Sequence, residues 1–108
     1  MAKTVEVLIN GTAYRMPASY KAAKEIARTV GDPLKMALAA NRNGGIVPMG
    51  IDDVVNIVAI GARHAGCNLP TDTIGEAIVE GGVANYITVV GEYLLAIVEG
   101  AGDPGPKA

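Results

Sequence analysis

The segment GGVANYITVVGEYLLAIVEG, residues 81–100, limits what this chain can become more than any other. It reads as one helix, yet its polar residues reduce to Asn85, Thr88, Glu92 and Glu99. Their spacing of three, four and seven places them on a single narrow stripe. The remaining positions from Val83 to Val98 are apolar apart from Gly91. A helix of this kind sits at the centre of a fold, inside an assembly, or in a membrane. The membrane is the weakest of the three. Glu76, Glu80, Asn85, Glu92 and Glu99 interrupt every window near the ~20 residues that a spanning helix needs.

Composition narrows the other two. With 108 residues, half of them hydrophobic, the chain can build one small core. The apolar load is Ala, Val and Ile, with no Phe or Trp, which suits closely approaching helices. The mean hydropathy of +0.31 is high for a soluble monomer. The formal charge is −2 and the nine Lys and Arg form no run. Nucleic acid and anionic membrane surfaces, which call for concentrated positive charge, are therefore disfavoured as partners. A single cysteine, Cys67, allows no internal disulfide and fits a reducing compartment. The opening MAKTVEVLING has no apolar signal segment.

Local signals order the elements. In TVEVLINGTAYRM, Val5, Val7 and Ile9 alternate with Glu6 and Leu8, and Asn10-Gly11 supplies the left-handed positions of a tight hairpin turn. The second strand is expected over Ala13 to Met16, ended by Pro17. Ser19 is a candidate N-cap for a helix closed by Gly31, with Tyr20, Ala23, Ile26, Ala27 and Val30 on its apolar face. Asp32 and Pro33 open a second helix that stops in the Asn43 to Gly45 cluster. A short extended piece at Ile46 and Val47 follows.

The third helix has Asp52 and Asp53 in its first turn and Arg63 and His64 in its last, matching the helix dipole, with Gly66 closing it. Thr71 or Thr73 caps the fourth, and Thr73 with Glu76 fits a capping box. Gly81-Gly82 separates it from the last helix. The expectation is an α+β fold: an N-terminal hairpin over 4–16, then about five helices within 19–99. These form a single domain, residues 1–99, with 100–108 a disordered tail. The core is expected to include Ile26, Val54, Val58, Ile78, Ile87, Val90 and Leu94.

Little in the polar inventory assembles chemistry. His64 and Cys67 stand three apart, but no further Cys or His exists to complete a zinc site of three or four ligands. A helix-end histidine and a half-buried thiol account for them. Asp52 and Asp53 read as first-turn charges rather than an acid/base pair. No phosphate-binding glycine motif occurs. Gly61, Gly75 and Gly91 lie inside predicted helices at about 1 kcal/mol each against alanine, and close helix approach is the leading reason. No catalytic residue, metal or cofactor is assigned. The third helix is apolar on two faces. The stripe Ile51, Val54, Val55, Val58, Ala62 and Ala65 supplies a core face, which leaves Ile57, Ile60 and His64 as the candidate protein-interaction face.

The pieces LINGTAYRM, HAGCNLPTDTIGEAIVEGG and YLLAIVEG, in this order within Thr4 to Val98, resemble the tail assembly chaperones of siphophages and gene transfer agents, in particular the gene transfer agent tail branch. The resemblance implies a non-enzymatic protein of the host bacterial cytoplasm that coats the tape measure protein while the tail tube is built. It also implies tape measure and tail tube proteins as partners, together with a homo-oligomer. Two other readings stand beside it. One is a structural tail or neck component that stays in the finished particle. The other is a small ligand-binding domain or enzyme with His64 and Cys67 in a pocket.

Overall fold

The computed structural model describes residues 3–42, 44 and 49–99. The extended piece expected at Ile46 and Val47 and the tail expected at 100–108 lie outside them. The fold is α+β: strands β1 (Thr4–Ile9) and β2 (Thr12–Pro17), then α1 (Tyr20–Thr29), α2 (Pro33–Arg42), α3 (Ile51–His64), α4 (Thr71–Gly81) and α5 (Val83–Glu99).

The two strands pair antiparallel, with Val5 opposite Met16 and Ile9 opposite Thr12. Asn10 and Gly11 join them with φ of 52° and 81°, the two left-handed positions of the tight turn. The pairing runs further than expected. Pro17 is the last residue of β2, opposite Thr4, and the Ala18 N–H beyond it reaches the Lys3 carbonyl at 2.7 Å. Hydrogen-bonded pairs alternate along an antiparallel ladder, and Pro17 occupies a position between two of them, where no donor is required.

The alternation then decides what the hairpin is for. Val5, Val7, Ile9 and Met16 all point into the core, while Glu6 and Leu8 point out. Two strands alone are marginal in water. Here they close one side of a core whose centre is α3. That helix packs against β2, α1, α4 and α5 together. It buries Val54, Ile57, Val58, Ala59, Ile60 and Ala62. Each large side chain so buried contributes about 1.5–3 kcal/mol of transfer free energy.

The helix ends follow local chemistry. The Ser19 hydroxyl accepts from Ala22 N–H at 3.2 Å, and Asp32 Oδ1 accepts from Leu34 N–H at 2.9 Å. Asp53 Oδ2 reaches back to Gly50 N–H at 3.1 Å. At the end of α3, Gly66 N–H bonds the Arg63 carbonyl and Cys67 N–H bonds the Ala62 carbonyl, at 3.0 and 2.9 Å. With Gly66 at φ 96° this is the Schellman arrangement. The cap of α4 differs from both threonine expectations. Pro70 occupies the cap position with no side-chain bond, and the Thr71 hydroxyl instead accepts from Arg63.

Between α4 and α5 the chain bends by 114° at Gly82, whose φ is 94°. Asn85 secures the bend by donating from Nδ2 to the Gly81 carbonyl at 2.9 Å. No single described helix is long and apolar enough to cross a membrane.

Two tyrosines of α5 tie it to the hairpin. Tyr86 donates to the Leu8 carbonyl at 2.6 Å and Tyr93 to the Pro17 carbonyl at 2.7 Å. Both carbonyls belong to positions between the hydrogen-bonded pairs of the ladder, so they face away from the partner strand. Tyr93 is fully buried. Burial first, and then the Glu25 carboxylate, hold its phenol well above the ordinary tyrosine value of about 10. A pKa raised in the folded state contributes stability that is complete below about pH 10 and lost as the pH climbs past it, because only the unfolded chain ionises readily. Denaturant midpoints should therefore fall as the pH rises from about 10 upward in the wild type. In Tyr93→Phe that slope should be shallower, at a cost near neutral pH of about 1–3 kcal/mol for the orphaned carbonyl. Equal slopes in the two proteins would reject the assignment.

Candidate protein-binding surface

The face expected to bind partners is not at the surface. Ile57 is fully buried and Ile60 is 3% exposed. Helix α3 is enclosed by the hairpin and three helices, so its second apolar stripe is a second core face. His64, the third member, does lie at the surface, where its Nε2 sits 2.9 Å from Glu25 Oε1 and joins the end of α3 to α1. Cys67 is buried as the residue after the Schellman glycine, its N–H closing the helix. The Tyr14 phenol is held above its ordinary value, first by the neighbouring Cys67 side chain and then by burial. His64 and Cys67 thus belong to separate structural contacts, one pairing with Glu25 and the other closing α3 through its N–H. Among the described residues no group of three His, Cys, Asp or Glu could hold a metal ion.

The apolar surface that is open lies on α5. Around that helix, Val90, Tyr93, Leu94 and Ala96 turn into the core. Asn85, Thr88, Glu92 and Glu99 face solvent as expected. Between the polar stripe and the core runs an uncovered strip: Ala84, Ile87, Gly91, Leu95 and Val98, recurring at helical spacing. Leu95 is 50% exposed. Ile87, expected in the core, is 36% exposed and belongs to this strip. It lies on the outward half-turn of a helix whose buried arc is already filled. A Cβ placed on Gly91 would meet nothing within 4 Å, so the surface is open there too.

The neighbourhood adds to this surface. Leu95 also lines a groove of about 410 Å³ between α5 and β1, beside Val5 and among Glu6, Glu92 and Glu99. Helix α2, packed against α5, leaves Leu34 and Leu38 half exposed one turn apart. Large exposed aliphatics repeated along two touching helices are what a protein contact uses. The signal was present in the sequence: the polar stripe of α5 marks the outward side, and the residues beside it share that side.

Against known protein families, curated proteins and solved structures, this chain has no match.

Proposed function

We propose that this protein is a non-enzymatic tail assembly chaperone of a siphophage, prophage or gene transfer agent, which keeps the tape measure protein in solution during tail assembly. The uncovered apolar strip of α5 carries the reading. A tape measure protein is a long, apolar, helical client. A helix with one half in its own core and an aliphatic strip outside offers such a client a groove-and-ridge partner. Glu92 and Glu99 beside the strip keep the unloaded face hydrated. The motif resemblance supplies the identity of the client; the strip supplies the means.

Co-expression with the tape measure protein of the same genome tests this. The wild-type chain should raise the soluble fraction of that protein. Leu95→Lys with Val98→Lys should abolish the gain while leaving the helical circular dichroism unchanged, because both side chains are exposed. A client equally soluble with and without the chain would end the proposal. Recovery of the chain in purified particles would instead make it a structural tail component.

A further inference from the structure

Charge is segregated along this chain. Residues 1–42 hold seven Lys and Arg against three Asp and Glu, while residues 43–108 hold two against eight. The fold turns that imbalance into two surfaces. The first is a groove of about 560 Å³ between α3 and α4. Its apolar floor is Ile51, Val55 and Val79, and its rim carries Asp52, Asp72, Glu76 and Glu80. Among the described residues no cation lines it; Arg63 is engaged with Thr71 at the loop end of the two helices. Ile51 and Val79 are about half exposed, so the floor is uncovered apolar surface.

The second surface is the outward face of α1. Ala22 and Ile26 hold the helix to the core, and Lys21, Lys24 and Arg28 stand on the opposite side at spacings of three and four. Tyr20 projects among them at 77% exposed, with the Lys24 ammonium 5.9 Å from its ring centre. The one carboxylate of this helix, Glu25, is occupied by His64. The sequence pattern points to Tyr20, Ala23, Ile26, Ala27 and Val30 as the buried face. The structure turns it, and leaves Tyr20 and Ala27 outside with the cations.

We infer that the acidic α3/α4 groove receives α1 of a second copy of this chain, Tyr20 seated on the Ile51 and Val79 floor and Lys21, Lys24 and Arg28 facing the carboxylate rim. The two surfaces flank α3 from different helices, and no residue of α1 lines the groove, so one molecule cannot satisfy both within itself. Unlike surfaces meeting between copies make a head-to-tail contact, which propagates into a ring or a filament rather than stopping at a symmetric pair. Complementary charge sets the register of such a contact and makes it sensitive to salt.

The test uses the purified chain alone, by sedimentation velocity over a concentration series, so its result is independent of any client. The wild type should grow past two copies at low salt, and its apparent dissociation constant should rise about tenfold or more at high salt. A helix-side variant, Lys21→Gln with Lys24→Gln and Arg28→Gln, and a groove-side variant, Glu76→Lys with Glu80→Lys, should each be monomeric. All five side chains are exposed, so the thermal melts should stay close to wild type. Tyr20→Ala, which alters no charge, should weaken association as well. Mixing the two charge variants is decisive: one retains the groove and the other retains the helix, so a one-to-one pair should form and grow no further. A wild type that stays monomeric, variants that associate like it, or a mixture that stays monomeric would each overturn the inference. If the groove-side variant lost only its effect on client solubility, the groove would belong to the client instead.

Discussion

Tyr93→Ala should destabilise the protein by about 3–5 kcal/mol, the range for deleting a buried aromatic. The side chain is fully buried and its ring lies against Gly61 of α3. Its hydroxyl is also the hydrogen-bond donor to the Pro17 carbonyl. The substitution opens a cavity beside α3 and strips a strand carbonyl of its partner together. Small domains have about 5–15 kcal/mol in total, so a large share of the stability goes with one side chain. A chemical denaturation midpoint within error of the wild type would show that Tyr93 is not the link between α5 and the hairpin.

Gly61→Val should be comparably damaging, for the opposite reason. A Cβ at that position would lie 2.6 Å from the Met16 sulfur and 3.0 Å from Tyr93 Cε2. Met16 has no exposed surface and therefore little room to withdraw. Even alanine has to displace that sulfur, and valine adds two methyls, so overpacking of about 1–3 kcal/mol or more is expected. Gly91→Ala is the internal control. It stands in the same kind of helix with open space around it, and should stabilise by about 0.5–1 kcal/mol through helix propensity alone. If both glycines respond alike, the close approach of α3 to the hairpin is not what keeps Gly61 small.

These two glycines also illustrate what the sequence could and could not say. All three intrahelical glycines invite one explanation, close approach, and the structure grants it only to Gly61. Gly75 meets Val55 at 3.6 Å, ordinary contact, and Gly91 meets nothing. Periodicity reports which residues share a side of a helix, and it found the hairpin, the order of the five helices and the buried Ile26, Val54, Val58, Ile78, Val90 and Leu94. It does not report where around the helix its neighbours lie. The neighbours of α3 close around both its stripes, so Ile57 and Ile60 are core. Helix α5 meets α2, α3, α4 and β1, but these leave one arc of it uncovered, and Ile87 lies on that arc. The candidate surface was misplaced for that single reason, and His64, an end-of-helix contact, was drawn along with it.

The bonds from Tyr86 to Leu8 and from Tyr93 to Pro17 join residues 78 and 76 positions apart. Synthesis proceeds in the other sense: the strands emerge first and α5 last. Helix α3 can cover β2 once it emerges, but β1 rests chiefly on α5, and until α5 is made Val5, Val7 and Ile9 lack their full cover. Closing so long a loop is an entropic cost met before its contacts form. Translation that stops short of α5 would release a hairpin whose β1 side is left bare, an apolar edge open to other strands. Helix α5 thus completes the hairpin's apolar cover, a notable dependence in a protein proposed to manage another one's exposed apolar surface.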